Sequence, residues 1–186
     1  MDEGKRKLWI ERALALGASG AWVIGVDQLV MDPRTRLKCR IPLCSSYGRN
    51  LMCPPFVPSF RESEEAIKKY EWALLVKLEV SFEGEADRQV AYSGAVKLHK
   101  LVNALEKEAF QAGYRFAAGL IGGTCRLCER CVAETGGTRC RYPFEARPSM
   151  EAMGIDVLGT LDRLGLVVPQ FPPGTKVEWI GLVLLG

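Results

Sequence analysis

Seven cysteines constrain this chain more than any other feature, because they fall in two tight groups. Cys39, Cys44 and Cys53 have the spacing C-x4-C-x8-C, and Cys125, Cys128, Cys131 and Cys140 have C-x2-C-x2-C-x8-C. Three thiols at successive x2 spacings can wrap one compact inorganic core, with the turning backbone aiming its N–H groups at the sulfurs. This is the ligand run of bacterial ferredoxins, although there the fourth cysteine comes sooner and is followed by proline. Here Cys140 comes later, with Pro143 beyond it, and the Cys–Pro step occurs instead at Cys53-Pro54. A proline there lacks an N–H and keeps the chain from folding back as helix.

The compartment decides what such thiols do. The first twenty residues, "MDEGKRKLWIERALALGASG", are charged throughout and lack the apolar block of a secretory signal. The most apolar stretch, "WIGLVLLG" at 179–186, is far shorter than the roughly 20 residues that span a bilayer. The chain therefore reads as cytoplasmic, with no membrane segment. Disulfides are uncommon in that setting, so clustered cysteines point to metal or to chemistry. The count is also odd, so full pairing leaves one thiol over. A net charge of +3 is too small to argue for nucleic acid.

Seven divides as four plus three. Four thiolates complete a 4Fe–4S cube, and three leave one iron open to water, substrate or another ligand. In one allocation Cys125, Cys128, Cys131 and Cys140 hold a complete cluster, and Cys39, Cys44 and Cys53 hold a second with an open iron. In the other, Cys140 crosses to the first group, as the fourth cysteine does in two-cluster ferredoxins. The first needs only local contacts. Zinc is the alternative metal, but it wants four ligands, commonly as two C-x2-C-like pairs. A zinc at 125/128/131/140 strands the other three thiols. Redox-active free thiols are a further reading.

The rest of the sequence is a scaffold for these loops. Residues 3–17 read as a helix, 21–30 as a strand, and 64–71 as a short helix capped by Ser63. "WALLVKLEV" (72–80) reads as a buried strand. A long helix covers 86–112, with Val90, Leu98, Leu101, Leu105 and Ala109 on its inner stripe and Gly113 as its stop. Residues 114–121 read as the next strand. Strand, helix, strand in that order suggests a right-handed parallel crossover. A helical stretch from Ser149, interrupted near Gly154, runs through Leu164, and the last strand covers 177–185. The expected fold is α/β in a single domain over 1–186. Its sheet is mixed and mostly parallel, with about four strands, and its two long loops, 32–60 and 122–148, carry the cysteines. A length of 186 residues suits one domain, and functional sites often lie on such loops.

Other candidate groups are fewer. The sole histidine, His99, falls about 120° from the middle of the long helix's apolar stripe. It shares that side with Asn103 and Glu106 and reads as solvated. Arg126, Arg130, Arg139, Arg141 and Arg147 crowd the second loop, against Glu129, Glu134 and Glu145, and Lys38, Arg40 and Arg49 flank the first; ordinary solvated loop charge is one reading of them and a functional field is the other. Positive neighbours and backbone N–H groups favour the reduced form of a thiolate cluster, and could attract an acidic redox partner or a small anionic substrate. Gly122, Gly123, Gly136 and Gly137 allow close backbone approach. Tyr47-Gly48 reads as a turn carrying the chain from Cys44 to Cys53. No G-x-G-x-x-G or P-loop motif is present.

Taken together, "CRIPLCSSYGRNLMCPP" (39–55), "CRLCERC" (125–131) and "CRYPFEARPSMEAMGIDV" (140–157) resemble a prokaryotic family of predicted metal-binding proteins of unknown function, found largely in anaerobic bacteria and archaea. The resemblance spans about residues 8–185. It implies that all seven cysteines fall on the family's motif cysteines. It also implies that Arg147, Ser149, Glu151 and Asp156 lie in a motif of unassigned role. It supplies no reaction. Arg147 and Glu151 are candidates for positioning a ligand at an open cluster, against a plain reading of this segment as the start of a helix. The functional expectation is an iron–sulfur protein with two 4Fe–4S clusters in electron transfer or redox chemistry. Alternatives are a zinc-stabilised interaction module, or a carrier of clusters or metal. An oxidoreductase component fits the first expectation, while the oligomeric state leaves no mark in the sequence.

Overall fold

The computed structural model describes residues 1–83, 88–169 and 175–186. Among the described residues four strands form one sheet: β1 (Gly20–Gly25), β2 (Trp72–Ser81), β3 (Ala118–Leu120) and β4 (Lys176–Leu185), in the order β1-β2-β4-β3. Helices α1 (Glu3–Ala15) and α4 (Arg88–Gln111) pack on one face. On the other face lie α3 (Phe60–Ile67), α5 (Val157–Arg163) and the turn that precedes α5. A single-turn α2 (Arg34–Leu37) sits within the first cysteine loop.

Side-chain alternation sorts the core. Leu74 and Val76 of β2 and Val183 and Leu185 of β4 meet Trp9, Ala13, Leu98, Val102 and Leu105. Their neighbours Ala73, Leu75, Leu182 and Leu184 face Ile67, Met150, Ile155 and Leu161. Because both faces are covered, the central strands read as continuous apolar runs. The α4 stripe holds as expected at Leu98, Leu101, Leu105 and Ala109. The expected start of that helix at 86 and the Val90 side chain lie outside the described residues.

Every pair of neighbouring strands is antiparallel, which corrects the mostly parallel sheet. Trp72–Ser81 of β2 pairs with Leu185–Lys176 of β4, and β3 pairs with the far edge of β4. The strand–helix–strand unit β2-α4-β3 does join two strands that run the same way. The last strand fits between them, so the crossover steps over β4 and no parallel ladder forms. A linear reading of consecutive elements misses a strand that arrives later in the chain.

Local differences have simple causes. Ser59, rather than Ser63, caps α3: its hydroxyl accepts from the Glu62 amide at 3.3 Å, and Glu62 accepts from the Ser59 amide at 2.7 Å. Ser63 is buried one turn further on. β1 ends at Gly25 and passes into a 3-10 turn over Val26–Gln28, and β3 shortens to three residues. Residues 149–154 form turns, and the helix begins only after Asp156, whose side chain accepts from the Gly159 amide at 3.1 Å. No helix among the described residues is long and apolar enough to cross a membrane.

Candidate metal centre

The two cysteine loops leave the sheet from β1 and β3, which run in opposite directions. What brings them together is residues 148–156. Ile121, just past β3, bridges in parallel to Ser149. Its amide donates to Pro148 at 3.0 Å, and its carbonyl accepts from Met150 at 3.0 Å. At the other end of the turn Ile155 bridges to Met31, Asp156 donates to Val30 at 2.7 Å, and Asp32 donates to Gly154 at 2.9 Å. The turn thus ties the edge of the sheet to the beginning of the first cysteine loop.

In that first loop Cys39 and Cys44 flank a tight two-residue turn. Arg40 bridges Leu43, and the Cys44 amide donates to the Cys39 carbonyl at 3.0 Å. Gly48 has φ +67° and donates to Pro54 at 2.9 Å, which closes the expected turn and returns the chain to Cys53. Cys53 is buried, Cys39 half-buried and Cys44 exposed. Burial pushes the Cys53 thiol up to about 11, and the neighbouring Cys44, Cys39 and Cys125 add to this, against a hydrogen bond from Thr124. Burial also raises Cys39, and Cys44 and Glu151 add to the shift.

A cavity of about 380 Å³ opens between the two loops, and Cys125, Cys128, Cys131 and Cys140 all line it, together with Ser45, Arg49 and Met52 of the first loop. Backbone amides reach the sulfurs: Leu51 donates to Cys131 at 3.5 Å and Tyr142 to Cys140 at 3.4 Å. The Leu127 amide works on Cys125 in the same sense, against a burial that pushes that thiol up. Leu51 belongs to the first loop, so the loops share this site. Asn50 strengthens the junction, donating to Thr124 Oγ1 at 3.1 Å and to the Cys125 carbonyl at 2.9 Å. Arg49 pairs with Glu134 at 3.1 Å, and Cys53 Sγ lies 3.4 Å from Thr124 Oγ1.

Gly122 and Gly123 let the second loop start where it does. A Cβ on Gly122 would come within 2.7 Å of the Ile180 carbonyl of β4, and Gly123 has φ +72°. Among the second-loop arginines, Arg126 lines the cavity and stacks 4.8 Å from the Tyr92 ring centroid. Arg141 donates to the Arg130 carbonyl at 2.8 Å. Arg147 forms a two-pronged pair with Glu106, at 2.5 and 2.9 Å, and donates to Ala146 and Phe144. Its guanidinium is committed to holding the loop.

His99 corrects the expectation of a solvated side chain. It is 2% exposed, and its Nε2 lies 2.8 Å from the Glu145 carbonyl. Asn103 donates to the same carbonyl at 2.8 Å. Burial holds the His99 pKa below its ordinary value. With Glu106 these residues, at i, i+4 and i+7, form a polar stripe of α4 that clamps the end of the second loop. Their helical spacing was the available signal. It could not show that a loop covers them.

Glu151 stands at the middle of the 148–156 turn. Its Oε2 is shut off from solvent and has no hydrogen-bond partner. Burial raises its carboxyl, while its own amide, Ser149 and Lys38 pull the other way.

Among the described residues, no three Cys, His, Asp or Glu side chains converge closely enough to grip a single ion. The chemistry of the second-loop donors nonetheless fits a polynuclear centre: four thiols around one cavity, with amides directed at sulfur.

No curated protein and no solved structure is significantly similar to the chain. A family model described as "Predicted metal-binding protein (DUF2284)" matches residues 22–185, nearly the whole chain and all seven cysteines, so the chain belongs to that family of predicted metal-binding proteins.

Proposed function

We propose that this protein is an iron–sulfur protein that carries electrons between partners in a reducing cytosol. Cys125, Cys128, Cys131 and Cys140 hold one 4Fe–4S cluster. Cys39, Cys44 and Cys53 hold a second, with one position not filled by thiolate. The observation that carries this reading is the cavity of about 380 Å³ lined by four thiols. A single zinc takes four ligands and would leave Cys39, Cys44 and Cys53 without a metal, so seven thiols in two groups favour clusters. The grouping of the thiols favours the local allocation, since Cys140 lines the cavity with 125/128/131.

When bound, such a cluster accepts and releases one electron at a time. The chain's own residues set the terms. Amides of Leu51, Leu127 and Tyr142 stabilise negative charge on sulfur, while the cavity's Arg49 is spent on Glu134 and its Arg126 stands against Glu129 and Glu134. Around the first loop, exposed Leu37, Ile41 and Leu43 alternate with Lys38 and Arg40, a surface suited to an acidic redox partner.

Reductive titration of the protein, prepared without oxygen and followed by EPR, tests the reading. Two paramagnetic species that appear at different potentials support it. A protein that stays silent on reduction contradicts it. A second reading, delivery of a cluster or metal to an acceptor, draws on the exposure of Cys44. Transfer of iron and sulfide to an apo-ferredoxin faster than release to a chelator would favour it.

A further inference from the structure

The first cysteine loop leaves a groove of about 600 Å³ on the protein surface. Its walls are the neighbours of all three first-loop thiols. Arg36, Leu37 and Arg40 flank Cys39, whose amide donates to the Arg36 carbonyl at 3.2 Å. Tyr47 donates its amide to the Cys44 carbonyl at 3.0 Å, and Pro54 and Pro55 follow Cys53. Leu37 is exposed, as are Ile41, Leu43 and Phe56 of the same loop. The charge here is mainly of one sign. Arg36 donates to the Pro58 carbonyl, and Arg40 stands 5.9 Å from the Tyr47 ring centroid. Neither of them, nor Lys38 beside them, has an ion pair among the described residues, whereas Arg34 is spent on Asp32. Glu62 is the one acid of the lining, and its carboxylate accepts from the Ser59 amide at 2.7 Å in the helix cap. It offsets one of three cations, so the face stays positive.

We infer that this groove is the docking face for an acidic one-electron carrier protein, which sets carboxylates over Arg36, Lys38 and Arg40 and an apolar side chain between Leu37, Tyr47 and the prolines. The inference rests on the electron-transfer reading above and adds where the partner enters. An apolar centre with a polar, charged rim is the anatomy of a protein interface, and complementary charge steers the encounter. A second copy of the chain is a poor occupant, because a two-fold pairing through this face sets like charges against each other. One electron passes from the docked carrier to the protein's centre. The carrier is oxidised by that electron, and no bond or proton changes in the chain.

The test uses the full chain with its metal, prepared without oxygen, as wild type, Arg40→Glu and Lys7→Glu. Lys7 is exposed on α1, outside the groove, so the two variants change the net charge equally at different places. Stopped-flow absorbance follows reduction by an acidic flavodoxin in its hydroquinone form and by photoreduced deazariboflavin, a small neutral donor. At low salt Arg40→Glu should slow the flavodoxin reaction about tenfold or more, with the gap closing as salt is added. Lys7→Glu should stay within about twofold of wild type. All three chains should react alike with deazariboflavin, which shows that the variants are folded and loaded. Should Arg40→Glu fail to fold, Lys38→Glu is read in its place. Equal flavodoxin rates in wild type and Arg40→Glu overturn the docking inference, as does a wild type that deazariboflavin reduces and flavodoxin does not. Binding to phosphatidylserine vesicles that Arg40→Glu abolishes gives the face a lipid occupant and overturns it as well. A chain that neither donor reduces defeats the electron-transfer reading, and this inference with it.

Discussion

On the proposed allocation Cys140 and Cys44 serve different sites, and serine at each tests it. Cys140 shares a cavity with Cys125, Cys128 and Cys131, whereas Cys44 pairs across a turn with Cys39. We expect Cys140→Ser to abolish one EPR signal and Cys44→Ser the other, each with loss of about four irons. Loss of both signals in Cys140→Ser would mean that this thiol crosses between sites. Arg147 carries a different load. Its pair with Glu106 is mostly covered, with side-chain exposures of 18% and 14%. Arg147→Leu strands the Glu106 charge and should cost roughly 3 kcal/mol in a urea titration. Arg49→Ala, which breaks an exposed pair with Glu134, should cost less than about 1 kcal/mol. Equal losses in the two variants would show that Arg147 is not a clamp. The two cysteine groups and the Tyr47-Gly48 turn were legible as residues, because spacing and turn chemistry are local. The engagement of Arg147 was not, since its partner lies on a helix 41 positions earlier.

At the scale of elements, α4 works on two sides. Its apolar stripe packs on the sheet, and His99, Asn103 and Glu106 hold the second loop. Periodicity shows the apolar face readily but gives the polar face the pattern of a solvated surface, because a polar stripe under a polar loop has the same spacing as one under water. The cap of α3 was legible in principle, since Ser59-x-x-Glu62 is a capping box. The direction of sheet pairing was not, because β4 enters between β2 and β3 from the end of the chain. Gly122 marks where the second loop grazes β4. Gly122→Ala should destabilise by roughly 1–3 kcal/mol and weaken cluster retention at the second loop before the first. Unchanged thermal stability would show that the loop can shift away. The β2–β4 pair also carries a charge network in which Lys77 and Lys176 hold the Glu79 carboxyl down to about 2. A carboxyl depressed in the folded state contributes stability above its ordinary 4.5, and that contribution is lost as pH falls toward about 2. The group is open to solvent, so the effect is modest. The gap in urea midpoint between wild type and Glu79→Gln should shrink steadily across that window. A gap independent of pH would contradict the network.

For the whole molecule, the cysteine loops are not independent appendages. Asn50 and Leu51 of the first loop bond to Cys125 and Cys131 of the second, and the 148–156 turn fastens both to the sheet. Filling one site should therefore stiffen the other, since ligands that bind only the ordered state stabilise it. The helices and strands supply a frame that brings together four thiols around one cavity and another loop, carrying three more, that bonds to it. That assembly was only partly legible in the sequence. Spacing shows which cysteines are neighbours along the chain, but the meeting of loops that leave from opposite strand directions depends on the tertiary fold. The nature of the metal is the claim on which the rest stands. Iron, acid-labile sulfide and zinc should be measured together on the chain purified without oxygen, alongside its visible spectrum. We expect a brown protein with about eight irons, about eight sulfides and little zinc per chain; a colourless protein with tightly held zinc and no sulfide would contradict the iron–sulfur assignment.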